Sequence, residues 1–222
     1  MERQSYFITA TNTEVGKTYI SALLVKALRE SGIDASYYKP ALSDAVMHEG
    51  ALVPGDAAYV CEFAGLDVEP STLVSHIYST PVAPHLAARR EGACEVSLEK
   101  IRNDFRRHKN DHDMLIVEGC GGIVCPLRDE PSLMLSDVMQ ELSLPLIIVV
   151  NSGLGSINSC VLTVEFAKSK GLDIAGVIMN EYDNSNFLHA DNADQIEKLT
   201  GVSVVSRVAY NDLTIDVGGF IH

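Results

Sequence analysis

Tyr6-Phe7-Ile8-Thr9-Ala10-Thr11-Asn12-Thr13-Glu14-Val15-Gly16-Lys17-Thr18 reads as an apolar run, a polar turn and a Gly-Lys-Thr triplet. Behind it, Ile20, Leu23, Leu24, Ala27 and Leu28 recur at helical spacing and predict an amphipathic helix over residues 18–30. Strand, tight loop, Gly-Lys-Thr and helix form the context in which such a triplet cradles phosphate. The loop turns backbone N–H groups inward, and the helix N-terminus adds partial positive charge. Lys17 then reaches the outer phosphates of a nucleoside triphosphate, and the Thr18 hydroxyl meets Mg²⁺. Two features depart from the general motif. Five residues separate Ala10 from Gly16 where four are usual, and Ala10 stands where the first glycine is expected. The competing reading is a helix capped by Asn12 or Thr13 with a chance Gly-Lys-Thr.

The rest of the chain repeats this alternation. Strand-like runs fall at 6–10, 35–38, 114–117, 146–150, 174–179 and 202–208, and helical stretches at 18–30, 97–108, 133–142, 157–170 and 192–199. Several strands are almost wholly apolar, as parallel strands covered on both faces are. Gly32, Gly171 and Gly201 follow helical runs, where chain-reversing glycines belong. No repeat or linker interrupts the pattern. The expectation is one domain over residues 1–222. Its fold is three-layer α/β, a mostly parallel central sheet with helices on both faces, of the phosphate-loop NTPase kind.

Polar residues gather after the strands: Lys39 after the second, Glu118 the third, Asn151 the fourth and Asn180 the fifth. Ligands of open parallel sheets bind outside the carboxyl ends of the strands, so six strands delivering groups to one rim predict a site there. Met114-Leu115-Ile116-Val117-Glu118-Gly119-Cys120-Gly121-Gly122 ends an apolar strand in an acid and a glycine-rich turn. The carboxylate suits Mg²⁺, and the glycines let backbone approach a ligand. In Tyr37-Tyr38-Lys39-Pro40-Ala41-Leu42-Ser43, Pro40 keeps Lys39 out of helix, leaving the ammonium to neutralise a transferring phosphoryl group. Asp56 in Pro54-Gly55-Asp56-Ala57-Ala58 reads equally as a metal ligand and as a helix N-cap.

Composition narrows the partners. A net charge of −13 opposes a nucleic-acid binder, which needs a basic face. No apolar run is long enough to span a bilayer. Met1-Glu2-Arg3-Gln4 leads straight into the first strand, so no signal peptide is expected and the chain is placed in the cytoplasm. Five cysteines, Cys61, Cys94, Cys120, Cys125 and Cys160, form no C-x-x-C pair and are expected to be reduced, packed thiols. His108 and His112 flank Asn110-Asp111, read as a loop, and are expected on a solvated surface. Pro84-His85 reads as a first helical turn followed by a partly buried histidine, not a catalytic one.

Taken in order, these residues resemble the dethiobiotin synthetase family. The resemblance begins at Thr9–Thr18, where the family has the same long spacing, a glycine at position 10 and usually an aspartate at position 12. It continues through Tyr38-Lys39-Pro40 with Ser43, then Asp56, then Pro81-Val82-Ala83-Pro84-His85-Leu86-Ala87-Ala88. Val117-Glu118-Gly119-Cys120-Gly121-Gly122 with Pro126-Leu127 follows. Leu154-Gly155-Ser156-Ile157-Asn158 and Val177-Ile178-Met179-Asn180 complete it. The resemblance implies an ATP-dependent cyclo-ligase of biotin synthesis. In it, 7,8-diaminononanoate takes up CO₂ as a carbamate, ATP phosphorylates the carbamate, and the second amine closes the ring. It implies that Lys17 and Lys39 hold the transferring phosphate and that Thr18, Asp56 and Glu118 hold Mg²⁺. Ser43 would meet the substrate. Glu14, Val15, Gly16, Lys17, Thr18 and Tyr19 would line the nucleotide with Glu118, Gly119, Cys120 and Gly121, and Asn180 would read the base. It also implies a homodimer in which Gly155, Ser156 and Asn158 of one subunit receive the carboxylate tail of substrate bound to the other.

Four departures stand out. Asp44 replaces a glycine after the substrate serine, Gly153 a basic residue, and Ser159 a histidine. The family's Gly-Glu-Ile-Pro is absent near Ser206-Arg207-Val208-Ala209. Asp44 and Gly153 motivate a related ligase acting on another carboxylate or carbamate. A third class, a nucleotide-switched regulatory dimer, usually carries a second lysine at the loop start and an amphipathic membrane tail. Here Ala10-Thr11 and the short end Val217-Gly218-Gly219-Phe220-Ile221-His222 stand instead.

Overall fold

A computed structural model of the chain describes residues 4–218. Met1–Arg3 and residues 219–222, on which the leader and tail readings partly rest, lie outside the described residues. In chain order the elements begin with β1 (Tyr6–Ala10), α1 (Lys17–Glu30), β2 (Ala35–Leu42), β3 (Val46–His48), β4 (Ala51–Val53) and α2 (Gly55–Ala64). Next come β5 (Val74–Ile77), α3 (Pro84–Glu91), α4 (Leu98–Asp111), β6 (Met114–Glu118), β7 (Pro126–Arg128), β8 (Leu133–Met134) and α5 (Leu135–Leu142). The last are β9 (Leu146–Asn151), α6 (Ser156–Ser169), β10 (Ile174–Asn180), α7 (Phe187–Thr200) and β11 (Val204–Val208). Seven strands form one parallel sheet in the order β11-β10-β9-β1-β6-β2-β5, and β3-β4 and β7-β8 are small antiparallel hairpins.

Strand alternation sorts the core into two sides. Tyr6, Ile8, Ala10, Tyr37, Ile116 and Ile147 pack with Ile20, Leu23, Leu24 and Leu28 of α1 and Ala57 and Val60 of α2. Phe7, Tyr38, Leu115 and Val117 pack the opposite way, against α3, α4 and α5. Ile148, Val150 and Val177 meet Cys160 and Val164 of α6 and Ala193 and Ile196 of α7. Three layers follow directly from the period of two. Each fully buried aliphatic side chain of α1 contributes roughly 1.5–3 kcal/mol. That fixes the helix, and with it the Gly-Lys-Thr at its head.

The seventh strand, β5, corrects the expectation of six. Val74-Ser75-His76-Ile77 is short and half polar, because its polar side chains are used inside. The Ser75 hydroxyl meets Asp104, and His76 Nε2 accepts from the Ser97 N–H. β2 also runs further than expected, so Lys39 and Pro40 lie inside it rather than after it. β6 pairs with β2 only as far as Tyr38, and β5 continues the ladder on the other edge from Lys39 to Leu42. Pro40 lies past the β6 pairing, where a missing N–H breaks no bond on that edge. Asp56 is not the cap of α2: Pro54 is, and Asp56 sits in the first turn. Residues 133–134, expected in helix, pair with β7 instead, and α7 starts five residues early because Asn186 caps it through the Leu188 N–H. Asn110-Asp111 is helix rather than loop. His108 is buried, bonded to the Thr72 carbonyl, and His112 meets Asp34. Cys94 is exposed, unlike the other four cysteines. Among the described residues no helix is long and apolar enough to cross a membrane.

Candidate active site

The loop between β1 and α1 is closed by Gly16, which caps the helix with φ +90°. Asn12 and Thr13 do not cap it; Asn12 Oδ1 accepts from the Thr13 N–H within the loop. Gly16 is required twice over. Its φ lies in the left-handed region, and a Cβ there would collide with the Asn180 side-chain amide. Asn180 Nδ2 donates to the Val15 carbonyl at 3.1 Å, so the end of β10 braces the loop from behind. Asn180 Oδ1 is buried with no partner. Lys17 is buried in the first turn of α1, its Nζ 3.4 Å from the Asn12 carbonyl. Burial pulls its pKa down; the Glu118 charge opposes this, but Lys39 adds to the depression.

Glu118 is the centre of the site. It follows Ile116 by two residues and so points to the α1 side of the sheet. It is fully buried and accepts three side-chain hydrogen bonds: Thr18 Oγ1 at 2.9 Å, Tyr37 OH at 3.0 Å and Lys39 Nζ at 2.6 Å. The Lys39 ammonium also bonds Asp56 at 2.8 Å and the Gly119 carbonyl at 3.3 Å. Burial is the largest single influence on Lys39 and lowers its pKa. Glu118 and Asp56 together outweigh it and leave the ammonium more basic than usual. Burial would raise the pKa of Asp56, but Lys39 overrides it and holds the carboxyl below its ordinary range. Burial first and the Glu118 charge second push Tyr37 well above a normal phenol, so it stays a donor.

These groups open into a cleft of about 1170 Å³. Its walls include Glu14, Gly16, Lys17 and Thr18 from the loop, Lys39, Ser43 and Asp56, the turn residues Cys120 and Gly121, and Asn158 of α6. Leu162 and Phe166 extend the Asn158 wall at four-residue spacing. Gly155, Ser156 and Val15 line a smaller recess of about 200 Å³ beside Thr11 and Asn12. Gly155 caps α6 with φ +92°, and the Ser156 hydroxyl is buried without a partner. Four expected nucleotide residues are not on the cleft wall: Val15 lines the smaller recess instead, and the other three turn away. Tyr19 turns its hydroxyl to the Asp212 carbonyl and its ring to Phe63, Asn180 stands behind the loop, and Gly119 contributes only its carbonyl to Lys39. His85 bonds the Pro126 carbonyl from the first turns of α3.

A family described as an AAA domain matches residues 4–216. ATP-dependent dethiobiotin synthetase of Clostridium botulinum (strain Eklund 17B / Type B) is 45% identical over 207 residues, 93% of this chain and 91% of that one. The enzyme so named in Clostridium perfringens (strain ATCC 13124) is 44% identical over 209 residues, 94% and 91% of the two chains. The chain belongs to the dethiobiotin synthetase family. Solved structures carry the fold alone. A ParA family ATPase from Chlorobium tepidum TLS has a TM-score of 0.57 at 17% identity over 96% of this chain and 86% of that one. The MinC:MinD cell division complex of Aquifex aeolicus has 0.57 at 16% identity, over 93% and 81%.

For a dethiobiotin synthetase, three features escaped the sequence reading. Tyr37 was visible as the residue two before Lys39, on the same face of β2. The α6 wall was visible as a stripe through Asn158, Leu162 and Phe166. The approach of Cys125 to Cys120 carried no signal. As for metal, Thr18, Asp56 and Glu118 supply hard oxygen donors on one side of the cleft. Among the described residues no group of three or more His, Cys, Asp or Glu side chains could hold a metal ion unaided. Two carboxylates and a hydroxyl suit a cation that keeps water and substrate oxygens in its shell, as Mg²⁺ does.

Removing one member of a buried ion pair strands the other, at a cost of roughly 3–5 kcal/mol. Lys39→Met should therefore destabilise the protein by about 3 kcal/mol or more in urea unfolding. Lys39→Met with Glu118→Gln should lose far less than the sum of the two single changes. Strictly additive losses would show that the pair is not coupled.

Proposed function

We propose that this chain closes the ureido ring of dethiobiotin: it takes 7,8-diaminononanoate, CO₂ and ATP, and releases ADP and phosphate. The observation that carries the reading is the convergence of Lys17 and Lys39 on one cleft beside Glu118 and Thr18. Two buried ammonium groups answer the negative charge of a phosphoryl group in transfer. The carbamate oxygen attacks the terminal phosphorus and ADP leaves. The second amine then attacks the carbamoyl carbon and expels phosphate. Lys17, at the head of α1, holds the outer phosphates with the loop N–H groups. Lys39 can exchange its bond to the half-exposed Asp56 for a phosphoryl oxygen while Glu118 keeps it in place. Ser43 lines the cleft and would meet the substrate. Thr18, Asp56 and Glu118 would hold Mg²⁺, which when bound neutralises phosphate charge. Asn180 braces the loop through Nδ2, and its unpartnered Oδ1 is the atom left to accept from the exocyclic amine of adenine.

The test is a coupled assay of ADP release by the purified protein. The diamine and bicarbonate together should stimulate release strongly, with dethiobiotin forming one for one, and neither should do so alone. ADP release indifferent to the pair would return the chain to another ligase or to a regulatory ATPase.

The cytoplasmic homodimer is the second part of the reading. Leu154, ahead of α6, is 93% exposed, and Leu162, midway along it, is 63% exposed. The buried, unpartnered Ser156 hydroxyl and the α6 N-terminal N–H groups suit a carboxylate. Gly155 has open space around it, yet its φ resists a larger residue. Gly155→Trp and Lys17→Ala should each be nearly inactive. Mixed one to one after subunit exchange, they should recover roughly a quarter of wild-type activity, because half of the dimers carry one intact site. Confirmed mixed dimers without recovery would place the substrate tail within a single chain.

A further inference from the structure

The turn after β6 carries two thiols that the ligase chemistry does not use. Cys120 and Cys125 are both buried, their Sγ atoms are 3.9 Å apart, and both line the cleft with Lys17 and Lys39. A small reagent that enters the cleft meets them together. Cys61 and Cys160 lie on separate helices, α2 and α6.

We propose that Cys120 and Cys125 form a reversible oxidation site: a low-molecular-weight disulfide converts the dithiol to an intramolecular disulfide, and the nucleoside triphosphate then binds more weakly. One cysteine, as its thiolate, attacks a sulfur of the small disulfide and expels one thiolate, leaving a mixed disulfide. The second cysteine attacks the protein-side sulfur of that bond and expels the other. The two protein thiols give up two electrons and two protons, and the small disulfide leaves as two thiols.

The geometry says where the movement goes. A disulfide needs its sulfurs about 2.05 Å apart, so the pair must close well below 3.9 Å. The start of the turn is wedged: a Cβ on Gly119 would stand 3.0 Å from Leu135 Cδ2 and 3.1 Å from Phe7 Cε1. The far end is held too, since the Cys125 carbonyl accepts the Leu135 N–H at 2.8 Å. Gly121, at φ +64°, and Gly122 between them are the pliable part. Gly122 lies against the phosphate loop; a Cβ there would be 3.6 Å from the Ala10 and Thr11 carbonyl oxygens and 3.7 Å from Asn12 Cα. Closing the pair therefore displaces backbone that packs directly on the loop carrying the phosphate-binding N–H groups.

This inference rests on the nucleotide-binding part of the proposed function and not on the identity of the amine. The experiment equilibrates the full chain in glutathione buffers of rising oxidised fraction. It maps thiols by alkylation and mass spectrometry, and measures binding of a non-hydrolysable ATP analogue with Mg²⁺ by calorimetry. The peptide spanning Cys120 and Cys125 should lose two hydrogens. Affinity should fall about tenfold, and dithiothreitol should restore both. Cys125→Ser should keep its own reduced-state affinity in the same buffers. The proposal is overturned if both thiols stay alkylatable where the exposed Cys94 is already modified. It is equally overturned if the bond forms with affinity unchanged, or if Cys125→Ser loses affinity as the wild type does. A reduced protein that fails to bind the analogue would count against the nucleotide reading instead, while the mass map still decides the bond.

Discussion

The bond between the Lys39 ammonium and the Glu118 carboxylate, 2.6 Å long and almost wholly out of water, organises this molecule. Two opposite charges in such a place gain little net stability, because desolvation offsets their attraction. The arrangement is tolerated because all three ammonium protons have acceptors and both carboxylate oxygens accept hydrogen bonds. Thr18 and Tyr37 donate to the carboxylate, and Asp56 and the Gly119 carbonyl accept from the ammonium. The partners come from β2, β6, α1 and α2, four elements that meet only because β1, β6 and β2 are neighbours in the sheet. The sheet order is thus a condition of the site as well as of the core.

Much of this was legible because charge and hydrophobicity alternate in register. Glu118 ends a strand of otherwise apolar residues, and Gly-Lys-Thr follows another, so both marked one rim. What escaped has a common physical cause: tertiary partners changed the meaning of a local signal. Pro40 marks the end of a strand in isolation, but the ladder passes from β6 to β5 at that point and the strand runs through it. Ser75 and His76 disguise β5 as a loop because their hydrogen bonds are made inside the fold. Asp56 has the signature of a helix cap, yet its carboxylate goes to Lys39. Cys120 and Cys125 look scattered until the Gly121-Gly122 turn folds them together.

The same fold in a ParA family ATPase and in the MinC:MinD complex, at 16–17% identity, shows how little the scaffold constrains the outcome. Function on such a scaffold lives in the groups that a chain places on the rim. Asp44 is the clearest local peculiarity. It takes φ +74° beside Ser43, where the family resemblance expects glycine, so a conformation suited to glycine carries a charged side chain at the cleft.

The most direct measurement is a crystal structure of the protein with Mg²⁺ and a non-hydrolysable ATP analogue. The account predicts Lys39 Nζ within hydrogen-bond distance of a terminal phosphate oxygen, still bonded to Glu118 and released from Asp56. Lys39 left bridging Asp56 and Glu118, with the terminal phosphate held by other groups, would contradict it.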